Sequence, residues 1–155
     1  MDDAAWMGLA LDEARRALAH EDVPVGAIAV LDGQVIGTGR NRREADQDPT
    51  AHAEMIAIRQ AAHHIGHWRL EGVTLYVTLE PCTMCAGAMV LARLPRLVYA
   101  APDPKAGAAG SVMDLVRHPQ LNHRVEVVKL DGPPAEEAAH LLREFFADLR
   151  AQGQK

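Results

Sequence analysis

The sequence predicts an α/β chain, a three-layer α/β/α arrangement in which a central, mixed, five-stranded sheet carries helices on both faces. Three observations lead there. Short strand-length runs alternate along the chain with longer stretches whose apolar residues recur at helical spacing. The first two strand runs are joined by only Asp32-Gly33, which makes them an antiparallel hairpin. About two dozen residues separate the last two strand runs, room for a crossover and hence for parallel pairing of those two strands.

Each element has its own signal. From Asp2 to His20 the residues Trp6, Leu9, Ala10, Ala17 and Leu18 recur at helical spacing behind an acidic start. Val25 to Leu31 and Gln34 to Thr38 flank the two-residue turn as strands. Asp48-Pro49-Thr50 is placed to start and cap a helix from about Ala51 to Ile65. Val73 to Leu79 alternates as a strand does, and Pro81 opens a helix running to about Ala92. Leu97 to Ala101 is a short strand, and the Pro- and Gly-rich stretch Pro102 to Ser111 is a loop stiffened around Asp103 by Pro102 and Pro104. Val125 to Leu130 is the last strand. Ala138, Leu141, Leu142, Phe145, Phe146 and Leu149 then mark an amphipathic helix, in which at least one phenylalanine is expected in the core. No internal repeat or linker interrupts the pattern, so residues 1–155 are expected to form a single domain.

Composition narrows the function. Apolar residues make up 48% and charged residues 24%, an ordinary globular balance. The start Met1-Asp2-Asp3 has the wrong charge for an export leader, and no apolar run is long enough to span a bilayer. Both cysteines lie in one Cys-x-x-Cys, so no disulfide framework is expected and a reducing, cytoplasmic setting is the simplest reading. The net charge of −5 argues against extended tracking of a nucleic-acid backbone. It is compatible with gripping a few splayed bases through a small basic patch.

The strongest chemical signal is split along the chain: His52-Ala53-Glu54 and, 28 positions after Glu54, Cys82-Thr83-Met84-Cys85. His52, Cys82 and Cys85 would fill three positions of a tetrahedral zinc and leave the fourth open for water, as a hydrolytic site requires. His52 and Glu54 are expected in the first turn of one helix and Cys82 and Cys85 in the first turn of the next, where the macrodipole favours thiolate. Zinc would bring its water towards a pKa of ~7. Glu54 is the candidate proton shuttle, taking the water's proton and delivering protons to a ring nitrogen and to leaving ammonia. Alone, Cys82-x-x-Cys85 could equally be a redox pair or half of a structural zinc knuckle; His52-Ala53-Glu54 upstream and Pro81 in front weigh against both. His63, His64 and His67 near a helix end read as solvated side chains.

His-x-Glu followed by Pro-Cys-x-x-Cys is the signature of zinc-dependent nucleobase deaminases. Further segments narrow it: Val23-Pro24-Val25-Gly26-Ala27, Asn41-Arg42, Asp48-Pro49-Thr50-Ala51, Thr78-Leu79-Glu80, Ala86-Gly87-Ala88-Met89, Asp103-Pro104-Lys105, Gly107-Ala108-Ala109-Gly110-Ser111, Asn122-His123-Arg124 and Phe145-Phe146. With these the chain resembles the bacterial tRNA adenosine deaminases, the TadA family, over most of its length. The resemblance implies a cytidine deaminase-like fold, a homodimer, one zinc per subunit on His52, Cys82 and Cys85, and Glu54 as the shuttle. It implies conversion of the wobble adenosine of an arginine tRNA to inosine, with Asn41 hydrogen-bonding the flipped-out nucleotide. Asp103, Lys105, Asn122, His123, Arg124, Phe145 and Phe146 would bind the anticodon stem-loop, roles that suit their chemistry. No membrane or protein partner is expected. Two plainer readings stay open: Asn122 could cap a turn, and Arg124 could pair with a surface carboxylate. A small-molecule guanine, cytosine or nucleoside deaminase with the same zinc core is the alternative function, and a zinc-stabilised scaffold is a more distant one.

Overall fold

Ten elements and one short 3-10 turn follow in a computed structural model that describes residues 1–153. They are α1 (Asp3–Ala17), the 3-10 turn Leu18–His20, β1 (Gly26–Leu31), β2 (Gln34–Arg40), α2 (Arg43–Asp46), α3 (Ala53–Ile65), β3 (Thr74–Leu79), α4 (Thr83–Leu91), β4 (Arg96–Ala101), β5 (Glu126–Lys129) and α5 (Pro133–Ala151). The sheet order is β2-β1-β3-β4-β5. β1 is antiparallel to β2 and β3, and β3, β4 and β5 run parallel. The parallel pairing expected of the last two strands is present, and β3–β4 adds a second parallel pair around the α4 crossover.

Strand alternation divides the core into two layers. Ala27, Ala29, Leu75, Val77, Leu97 and Tyr99 face α3 and α4. Ile28, Val30, Tyr76, Val98 and Ala100 face α1 and α5. The hairpin turn takes left-handed backbone at both Asp32 and Gly33, the geometry that matches strand twist. Gly37 and Gly39 of β2 set the distance to α3: a Cβ would fall 2.4 Å from the Ala57 carbonyl at the first and 2.1 Å from the Ala53 carbonyl at the second. Only bare backbone lets α3 lie this close to the sheet, and the start of α3 is where His52 and Glu54 sit.

Two local expectations are corrected. Asp48-Pro49-Thr50 does not cap α3. Asp48 accepts hydrogen bonds from the Thr50 N–H and hydroxyl, a closed local turn, and the helix begins only after His52. The four-residue α2 was not anticipated. It is held by Asp22, which is buried and accepts from the Glu44 and Ala45 N–H groups at 2.8 and 3.1 Å.

Candidate active site

The carboxyl ends of the parallel strands β3 and β4 meet the N-termini of α3 and α4, and the sequence-predicted chemistry collects there. His52 is the N-cap of α3 and Cys82 the N-cap of α4, and neither spends its side chain on a capping bond. Glu54 and Cys85 lie in the first turns that follow. His52 Nδ1 is 3.6 Å from Cys82 Sγ and 3.5 Å from Cys85 Sγ, and the three donor atoms all lie within 4.8 Å of one another. Zinc–nitrogen and zinc–sulfur bonds of the usual lengths, held at tetrahedral angles, separate the two donors by about 3.5 Å. The donor set and its spacing therefore fit zinc with one position left over.

The protons of this group are unevenly held. Hydrogen bonding to Cys85, helped by His52, draws the Cys82 thiol down to about 3. The same bond, with burial, drives Cys85 upward. Glu54 is 4% exposed, and burial pushes its carboxyl up to about 7, close to balance between donor and acceptor at neutral pH.

Beside the donors opens a cavity of about 210 Å³, lined among others by Val25, Asn41, His52, Glu54, Cys82 and Asp103. That is smaller than the pockets of drug-sized ligands, so it suits one flat base and not folded RNA. Asn41 is buried, and its Oδ1 is the one buried side-chain N or O atom among the described residues without a hydrogen-bond partner. An orphaned acceptor in a cavity wall is what a bound donor would satisfy.

The remaining predicted residues are peripheral. Lys105, Asn122 and Arg124 are exposed, and none of them lines the cavity. Lys105 donates its backbone N–H to Asp103 Oδ1, Arg124 donates to the Pro119 carbonyl, and His123 Nε2 lies 2.6 Å from the Leu94 carbonyl. Phe145 and Phe146 pack edge to face, ring centroids 5.4 Å apart, and line a second groove with Leu18, Val23 and Arg43. Neither is core, contrary to expectation: Phe145 is half-buried and Phe146 is 41% exposed, while Ala138 is the α5 residue that is fully buried. Two residues of the site were given no role by the sequence. Arg43 borders both the cavity and the phenylalanine groove. Glu80 lines the cavity as a buried carboxylate; burial acts to raise it, but hydrogen bonds from Ser111, Asp103 and Ala109 outweigh this and hold it below the usual range. A charge closing the apolar run Leu75 to Leu79 was the available hint.

The whole arrangement has relatives. The MafB19-like deaminase model matches residues 1–150. A tRNA-specific adenosine deaminase of Bacillus subtilis is 47% identical over 96% of this chain and 91% of its own. A solved tRNA:A34 deaminase, studied for A-to-I editing at the wobble position of transfer RNA, superposes with a TM-score of 0.83 at 47% identity, covering 89% of this chain and 99% of that one. A guanine deaminase from Nitrosomonas europaea gives a TM-score of 0.78 at 25% identity, covering 93% of this chain and 84% of that one.

Proposed function

The chain belongs to the tRNA-specific adenosine deaminases, within the MafB19-like deaminase family, and on that premise we propose that it hydrolyses adenosine to inosine at the wobble position of a tRNA anticodon loop. The observation that carries the reading is the buried Glu54 in the wall of a base-sized cavity, beside three donors spaced for zinc. An arginine tRNA with an ACG anticodon is the substrate we assign. A loop base suits the site because extracting it from its neighbours costs less than breaking a pair.

One zinc ion per subunit would be held by His52, Cys82 and Cys85, and when bound it supplies the Lewis acidity that makes water a nucleophile near neutral pH. Glu54 accepts a proton from the attacking water, returns one to the purine ring nitrogen, and moves the next to the departing ammonia. Adenosine and water thus become inosine and ammonia with no other reactant. A carboxyl near 7 suits both halves of that task. Asn41 Oδ1 orients the flipped nucleotide by accepting from it. Asp103 borders the base, while Lys105, Asn122, Arg124, Phe145 and Phe146 take the flanking loop. His123 joins them through Nδ1, since its Nε2 is already at the Leu94 carbonyl.

The active form we propose is a homodimer. Met84, Gly87, Ala88 and Leu91 share one side of α4; Leu91 is 71% exposed, and the loop after β4 also exposes Val112 and Met113. An apolar surface of this kind is what a second copy would cover. No helix among the described residues is long and apolar enough to cross a membrane, and a tRNA substrate assigns the reaction to the cytoplasm.

The likeness to a guanine deaminase, and a cavity that would also take a free base, favour small-molecule deamination as the second reading. Conversion of the ACG tRNA is to be measured against free guanine, cytosine and adenosine, with Glu54→Ala as control. We expect the tRNA alone to react. Turnover of a free base beside untouched tRNA would keep the chemistry and overturn the substrate.

A further inference from the structure

Glu80 is a buried carboxylate, 2% exposed, that the chemistry above leaves unused. Its neighbours are neutral donors from one loop. Oε1 accepts from the Asp103 N–H at 3.0 Å and from the Ser111 hydroxyl. Oε2 accepts from the Ala109 and Ser111 N–H groups, each at 3.0 Å. Gly107 completes the closure: a Cβ there would stand 2.4 Å from both Cδ and Oε2 of Glu80. The loop can fold over the carboxylate only because position 107 has no side chain.

Both sides of this closure reach the site. Glu80 precedes Cys82 by two residues, and Asp103 and Ala106 of the loop line the cavity. We propose that Glu80 is a positioning residue, pinning the segment from Asp103 to Ser111 in the pose that forms one wall of the substrate cavity. The inference rests on the substrate reading above and deepens it. Besides Glu80, the Ala108 N–H on the Pro81 carbonyl, the burial of Ala108 and Ala109 and a few turn bonds hold this segment. It has no helix or strand, so an unpinned loop would sample more poses. Substrate would then bind only the competent fraction, and its apparent affinity would fall in proportion. Once substrate is bound, the wall is in place and the chemical step proceeds as before. The expected signature is a raised KM with kcat little changed.

The test compares wild type with Glu80→Ala, Glu80→Gln and Ser111→Ala on an anticodon stem-loop, with zinc content and amide hydrogen exchange measured in each. Glu80→Ala should raise KM roughly tenfold or more while kcat changes by less than about threefold, zinc stays at one per chain, and the Ala109 and Ser111 amides lose protection. Glu80→Gln keeps one acceptor oxygen and should fall between Glu80→Ala and wild type. Ser111→Ala removes one of the four bonds at an exposed residue and carries the test if Glu80→Ala does not fold; a KM about threefold higher is expected. In the Glu80→Ala background, Gly107→Ala should do less harm than in wild type, because its methyl then crowds the Asp103 carbonyl, 2.6 Å away, and no longer the carboxylate. Unchanged KM with unchanged exchange overturns the inference. So does loss of zinc, which would make Glu80 a support of the Cys82 turn, or a fall in kcat at constant KM, which would put it in the chemistry. Exchange needs no substrate: a wild type that leaves the stem-loop unedited refutes the reaction, and the protection of Ala109 and Ser111 still decides the pinning.

Discussion

Arg96 meets Asp3 through two parallel hydrogen bonds, Nη1 to Oδ1 at 3.0 Å and Nη2 to Oδ2 at 2.7 Å, across 93 residues of sequence. The Tyr76 hydroxyl donates to the same Oδ1 at 2.7 Å. The first residue of α1 is thereby fastened to β3 and β4, on the sheet face opposite α3 and α4. A two-pronged, partly buried pair of this kind exceeds an ordinary surface ion pair in strength.

That cluster makes a pH-dependent contribution to stability. Hydrogen bonding to Arg96 holds the Asp3 carboxyl below its ordinary 3.8, against the opposing effect of burial. A folded-state value below the unfolded one means that the stabilisation is full above 3.8 and is lost as pH falls through the lower, folded value. Asp3→Asn should therefore cost about 1.5–3 kcal/mol at neutral pH. The gap to wild type should close in acid. Urea unfolding at a series of pH values reads this directly, and a gap independent of pH would remove the charge from the explanation.

Glu54 and Cys85 are adjacent in the site but should fail differently. Glu54→Ala leaves all three donors in place, so zinc should remain while turnover falls at least ~10²-fold. Cys85→Ala removes a donor, so metal and activity should disappear together. Metal analysis beside an inosine assay separates the two. Near-normal turnover in Glu54→Ala would take that residue out of the mechanism, and a metal-replete, active Cys85→Ala would break the ligand assignment.

Asn41 tests substrate recognition without touching the donors. Its Oδ1 is buried without a partner, and the proposed contact would give it one from the substrate. Asn41→Ala should lower kcat/KM about 10- to 100-fold, the worth of one such bond in a buried site, at unchanged zinc content. A variant with wild-type kcat/KM would mean that the orphaned oxygen faces no substrate atom.

What the sequence could reveal was governed by how local each signal is. The hairpin was legible because Asp32-Gly33 alone determines its turn, and the donor group because its spacing sits within two short motifs. The start of α3 was misplaced because Asp48 has two local options, and its side chain chose the Thr50 turn over the helix. Asp22 and Glu80 were missed for the opposite reason. Each acts on backbone N–H groups more than 20 residues further along, and backbone donors leave no mark in the amino-acid code. The phenylalanines were misjudged because α5 buries only Ala138 fully, and its apolar spacing at Phe145 and Phe146 lines a groove instead of the core.

Leu91 probes the assembly. At 71% exposure it supports nothing within its own chain, so Leu91→Glu should fold as wild type does. If the α4 face joins two copies, light scattering should find wild type dimeric and the variant monomeric. A variant that stays dimeric would move the interface to another face.

Salt dependence examines how the chain holds RNA. Acidic residues outnumber basic ones by 21 to 16, which weighs against a broad basic face. Near the site, Arg42 is already committed to Asp46, donating from both Nε and Nη2. Arg43, Lys105 and Arg124 are exposed cations free of carboxylate ion pairs among the described residues. Three phosphate contacts on a single-stranded loop give a log–log slope of about −2 for affinity against salt. A measured slope near that value, shrinking by under one unit in Arg43→Ala, would assign a phosphate to the residue that borders both cavities. A slope of about −6 would require many more contacts than these cations provide, and would point to an RNA path over a surface formed by two copies of the chain.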